Sequence, residues 1–183
     1  MKYIGLILLA LVNFYRAGQD IYICKNAKIN MFSTAPIEDI EANSNSAVSV
    51  YNAGTGDLDF TVPIRSFHFE RSLMEEHFNE NYMESDKYPR ASFKGKMQPM
   101  PDLTKDGAYP VTVTGELEVH GVKQPRTISG TVKVSGGVVS MTSEFMVKCA
   151  DHHIEIPAIV FHHIAESIRI RVSATYSAYN QSK

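Results

Sequence analysis

The side chains best equipped for chemistry in this chain are seven histidines and one dense acidic run. Glu75, Glu76, Glu80, Glu84 and Asp86 make up that run. Paired carboxylates can divide acid and base work when their surroundings push their pKa values apart. His77, Ser85 and Asp86 are near enough in sequence to suggest a nucleophile set. The patterns that accompany such chemistry are missing: there is no Gly-x-Ser-x-Gly elbow, no glycine-rich phosphate loop and no dinucleotide fingerprint. The histidines fall as two adjacent pairs, His152-His153 and His162-His163, with His68, His77 and His120 apart. Adjacent residues on a strand point to opposite faces, so neither pair makes a chelate. His162 and Glu166 have i, i+4 spacing with Glu155 near, but a metal needs three or four convergent ligands. We therefore expect no catalytic residue, no metal and no cofactor. The acids read as a solvated face with helix capping and a pairing to Lys87.

The elements that would position these groups are mostly strands. Leu58, Phe60, Val62 and Ile64 alternate with polar residues, as do Tyr109, Val111, Val113, Gly115, Leu117 and Val119. Val139, Met141, Phe145 and Val147 repeat the pattern, and so do Ile168, Ile170, Val172, Ala174 and Tyr176. Period two marks antiparallel strands with one dry face. Weaker runs over 21–32, 46–52, 91–97 and 126–135 bring the count to about eight. Asn52-Ala-Gly54-Thr-Gly56, His120-Gly121 and Gly136-Gly137 supply hairpin turns. Pro63, Pro110 and Pro125 each remove a ladder donor and so mark edges, strand starts or bulges. Eight such strands in one domain curl into a barrel or split into a sandwich; short connections favour an up-and-down barrel. Ser72 to Glu80 has helical character, with Ser72 and Glu75 at capping-box spacing and Met74 and Phe78 as an i, i+4 apolar pair. A second short helix is expected over 157–165, opened by Pro157. These two pieces would plug or lid one mouth.

Residues 1–18 read as a secretory signal: Lys2, then an apolar run from Ile4 to Phe14, too short to span a bilayer. Cleavage is expected near Ala17 or Gly18, releasing the protein to the periplasm or outside, with residues 19–183 as one barrel domain. Without Lys2 and Arg16 the chain keeps 16 basic against 20 acidic side chains. That balance does not call for nucleic acid or an anionic membrane surface as a partner. No other segment could span a bilayer as a helix, and a homodimer is left open. Two cysteines, Cys24 and Cys149, are too few for a disulfide-built scaffold. Export permits a bridge between them; two buried thiols are the alternative.

The stretch from Phe67 to Gly95, with its Met83-Glu-Ser-Asp-Lys-Tyr-Pro-Arg-Ala-Ser-Phe93 centre, closely resembles the YceI-like family. Ser33 to Ala42, Thr55 to Phe60, Gly115 to Val122 and Ile154 to Pro157 extend the resemblance in family order. It implies an all-β fold, an eight-stranded antiparallel lipocalin-like barrel with one or two short helices capping a mouth, often exported. Some members enclose a polyisoprenoid chain. True lipocalins usually carry a Gly-x-Trp, and this chain has no Trp.

A barrel of eight strands is either filled by its own side chains or holds one small ligand. Phe60, Val62, Phe93, Val111, Val113, Leu117, Phe145, Val147, Ile170 and Val172 share the inward parity, with Phe67, Phe69, Met74, Phe78, Tyr82, Met83 and Tyr88 near the mouth. Gly95, Gly115, Gly130 and Ser143 would leave space among them. Three readings follow: an exported non-enzymatic barrel holding an apolar, lipid-like small molecule of the isoprenoid or quinone-tail class; a filled barrel serving as an envelope stress or interaction protein; and an enzyme on a small hydrophobic substrate using His77 or the acidic run. The first expects a dry tunnel, the second none, the third carboxylates facing a cavity.

Overall fold

The computed structural model describes residues 21–34, 39–156 and 165–179. The expected signal segment, the His162-His163 pair and, but for its last residue, the expected helix over 157–165 lie outside the described residues. The alternating runs all become strands: β1 (Ile21–Thr34), β2 (Asp39–Asn52), β3 (Asp57–Pro63), β4 (His68–Phe69), β5 (Arg90–Gln98), β6 (Gly107–Val119), β7 (Val122–Ser135), β8 (Val138–Lys148) and β9 (Ser167–Ala178). The wall runs β1-β9-β8-β7-β6-β5-β3-β2, and β1 pairs back onto β2, so the sheet closes. The two-residue β4 is a tab laid on Ala42 and Asn43 of β2, which leaves an eight-stranded antiparallel barrel.

The turns follow from backbone chemistry. Gly136 and Gly137 both have positive φ (55° and 79°), as do His120 and Gly121 (51° and 71°). Two such residues in sequence match the twist of the strands they join. Closure leaves no sheet edge for the prolines, yet each has a place. Pro110 lies beyond the end of the β5–β6 ladder at Gln98–Thr112, and Pro125 beyond the end of the β7–β8 ladder at Gly130–Ser143. Each keeps a partner on one side only, Thr131 and Glu116 respectively. Pro63 ends β3.

Two local expectations are corrected. Strand β2 starts at Asp39, seven residues before the alternating run over 46–52. Its early inward residues are Ile40, on the cavity wall, and the small Ala42 and Ser44; Ala42 pairs with Phe69 of β4, and Ser44 Oγ lies 2.7 Å from Ser66 Oγ in the turn at Ile64–Ser66. Gly95 and Gly115 do not make ligand space. They pair directly across β5 and β6, and a Cβ on Gly115 would collide with the Lys94 carbonyl and the Gly95 Cα. Their role is close backbone approach at a sharp bend.

The two barrel ends differ. The end holding the β2–β3 and β7–β8 turns is solid: Tyr51, Met97, Val132, Val139, Cys24 and Ala174 pack there with almost no exposure. At the other end stand the β6–β7 turn, the ends of β1 and β8, the start of β9, and a cover. Among the described residues no helix is long and apolar enough to cross a membrane. Cys24 and Cys149 are both free. Cys24 sits beside the end of β9, where Ile23 pairs with Ser177, while the Cys149 N–H donates to the Glu166 carbonyl just before β9 begins. About ten residues of strand, roughly 33 Å, separate those levels, against the 7 Å that a disulfide allows between Cα atoms.

Candidate functional site

Above the solid floor the barrel is hollow. A cavity of about 670 Å³ runs from the mouth down to Leu58 and Tyr176 near the closed end. The structure brings all ten inward-parity side chains to its wall, Phe60, Val62, Phe93, Val111, Val113, Leu117, Phe145, Val147, Ile170 and Val172. Phe67, Phe69, Met74, Phe78, Tyr82 and Met83 join them at the mouth. Ile29, Met31 and Ser33 of β1 also line it, and their parity was hidden because register shifts interrupt the β1–β2 pairing between Cys24 and Ile29. Leu58, Met97, Ile128, Ala174 and Tyr176 complete the lower wall. Among the described residues no Asp or Glu faces the cavity; its lining is apolar apart from hydroxyls, Arg71 and His77 at the mouth. No group of three His, Cys, Asp or Glu among them could hold a metal ion.

The cover begins with helix α1 (Ser72–His77), which passes into a wider turn at Phe78–Tyr82. The expected capping box is not formed. Arg71 is the N-cap, Ser72 is already helical, and the Glu75 carboxylate instead accepts the Phe69 N–H at 3.2 Å and lies 3.4 Å from His68 Nδ1. This ties the helix back onto β4. Phe78 is the anchor: it meets Phe67 edge-on at 5.8 Å and Phe69 at 5.0 Å. Leu73 is left 59 % exposed at the rim. Tyr88 is the one aromatic of the expected portal set that does not reach the cavity; it packs against His120 at 4.4 Å.

A second cover follows β8. The turn Cys149–His152 folds across the place where β7 and β8 part company. Arg126 binds Asp151 at 2.8 Å, Gln124 donates to the Asp151 carbonyl, and His152 Nδ1 donates to the Val122 carbonyl at 3.0 Å. Cys149, Ile154 and Ile156 show their apolar sides to the cavity. Burial pushes the Cys149 thiol up and holds His152 below its usual value.

His120 joins the two covers. Its Nε2 meets Glu84 Oε2 at 2.7 Å and its Nδ1 meets the His152 carbonyl at 3.2 Å. Glu84, His120 and His153 are the non-glycine residues with positive φ (42°, 51° and 56°) among the described residues, and all three belong to this cluster. Such backbone persists where surrounding contacts over-determine it. The expected pairing to Lys87 is made by Glu84 at 3.9 Å, and the exposed Asp86 pairs with Arg65 at 2.6 Å.

Comparison with known proteins agrees with this architecture. A polyisoprenoid binding domain from Saccharophagus degradans, implicated in plant cell wall breakdown, superposes with a TM-score of 0.74 at 13% identity, over 87% of this chain and 99% of that one. BcnA of Burkholderia cenocepacia gives 0.69 at 17% identity, over 82% and 96%. The Campylobacter jejuni YCEI protein gives 0.61 at 16%, over 79% and 88%. No curated protein matches in sequence. The YceI-like domain family matches residues 26–176, nearly the whole described barrel, and the chain belongs to that family.

Proposed function

We propose that this protein is an exported, non-enzymatic barrel that encloses an apolar, lipid-like molecule of the isoprenoid or quinone-tail class. The observation that carries the reading is the cavity itself: about 670 Å³, walled by aliphatic, aromatic and methionine side chains. Such a space gains about 25 cal/mol for each Å² of hydrocarbon it takes from water, and methionines adapt to varied guests. Among the described residues the wall carries no carboxylate, and its one imidazole, His77, stands at the mouth with no acidic partner on the lining. The binding activity of the Saccharophagus degradans domain supports the same class of guest. Export rests on Lys2 and the apolar run from Ile4 to Phe14.

Native mass spectrometry with solvent extraction, on protein recovered from its own host, tests this. An apolar compound in near-stoichiometric amount is expected, with the protein in the exported fraction and lacking its first residues. Protein that yields no lipid and takes up neither farnesol nor geranylgeraniol would sink the binding reading. An intact N-terminus on cytoplasmic protein would sink export.

A further inference from the structure

If the barrel encloses a chain, as the reading above holds, its depth limits how much chain it can enclose. The inward residues of β9 form a depth scale: Ile168, Ile170, Val172, Ala174 and Tyr176 all face the cavity. From Ile168 to Tyr176 is about 26 Å along the strand, or about 20 Å along the axis of a barrel with strands tilted by about 40°. The cavity ends at Tyr176. Its ring is 6 % exposed, and its hydroxyl lies 2.6 Å from Ser49 Oγ. Ser49 gives its own proton to the Asp59 carbonyl at 2.9 Å, so Tyr176 is the donor to Ser49. The ring is thus pinned at its far end and cannot swing aside without breaking a buried hydrogen bond. Behind it lie Tyr51, Val132 and Val139, with no exposure beyond 1 %.

We propose that Tyr176 determines the ligand length this barrel accepts. The enclosed segment is about twenty non-hydrogen atoms, taking roughly 30 Å³ for each. That corresponds to about four isoprene units, or an acyl chain of similar length. Any longer isoprenoid leaves its remainder outside the mouth, in water or in another partner. Replacing Tyr176 by Ala would free the space of about seven non-hydrogen atoms, a little more than one isoprene unit. Filling Ala174, the next step up and nearly fully buried, would shorten the space instead.

The test is a ladder of all-trans isoprenols with 10, 15, 20, 25 and 30 carbons, measured by displacement of a fluorescent apolar dye from the full barrel. Affinity should rise about fourfold per enclosed carbon, from about 0.8 kcal/mol per methylene, and go flat beyond about 20 carbons. Tyr176→Ala should carry the rise one unit further. Tyr176→Phe, which keeps the ring, should leave the break where it is. Ala174→Leu should bring the break down, and it serves where Tyr176→Ala fails to fold. A break that stays at the same length in a folded Tyr176→Ala or Ala174→Leu protein overturns the length limit and leaves the binding function standing. A wild-type barrel that binds none of the alcohols overturns both.

Discussion

His120 and Glu84 stand 36 residues apart in sequence and meet side chain to side chain at 2.7 Å. The contact joins the β6–β7 turn to the end of the helical cover, and the other nitrogen of His120 holds the second cover through the His152 carbonyl. Each ring nitrogen of His120 therefore faces an oxygen of a different cover. His120→Ala should cost about 1–3 kcal/mol, and it should raise amide exchange in residues 72–84 and 149–154 alike. Faster exchange in only one of those segments would show that the covers are held separately.

Glu84 adopts φ 42°, a conformation that costs a side chain about 1–2 kcal/mol. Glu84→Ala loses the pair and keeps the strain; Glu84→Gly loses the pair and sheds the strain. The glycine variant should unfold at the higher temperature, by about 1 kcal/mol of stability. This reverses the usual order of alanine over glycine, and the usual order would argue against a strained Glu84.

Acid should weaken the fold through His152. Its ring is fully buried, and burial, the largest influence on it, holds its pKa below the ordinary value. The unfolded chain takes up the proton near pH 6.5, while the folded one resists it. Stability is therefore at its full value above that pH and is lost as pH falls from about 6.5 toward the folded pKa. Melting temperatures from pH 8 to 5 should fall less steeply for His152→Gln than for the parent. Parallel curves would assign the acid sensitivity to other groups.

Both cysteines should resist thiol reagents in the native state, Cys149 doubly so because burial raises its pKa. An aromatic disulfide reagent should find no fast thiol in the folded protein and two after denaturation. One or none after denaturation would mean that a covalent link exists.

Core truncation should separate floor from rim. Met97 is 1 % exposed and packs at the cavity base, so Met97→Ala should cost about 2–5 kcal/mol, toward the lower figure because it borders an existing space. Leu73→Ala, at an exposed rim position, should change stability by less than about 0.5 kcal/mol. Urea midpoints compare the two directly.

The barrel was legible because long strands with one dry face cannot hide a period of two: Leu58 to Val62 and Ile168 to Tyr176 declare themselves residue by residue. The cavity wall was legible for the same reason. Early β2 was not, since its inward Ala42 and Ser44 carry no hydrophobic signal; their partners, Phe69 and Ser66, are distant in sequence. The β1 wall residues were obscured by bulges that break parity. The meeting of Glu84, His120 and His152 has no local signature at all, because it exists only once three separate turns reach one place.

The short β7–β8 ladder has a consequence for how the barrel moves. Strand β7 pairs with β6 from Val122–Val119 to Val134–Gly107, but with β8 only from Gly130–Ser143 to Ser135–Val138. Above that point, toward the mouth, the circumference is held by the Arg126–Asp151 and Gln124–Asp151 contacts in place of a backbone ladder. A cylinder stitched evenly would breathe evenly; this one has a seam. When side chains alone close a seam, it parts at a lower free energy than the ladders beside it, so the barrel widens there first and the floor keeps its shape.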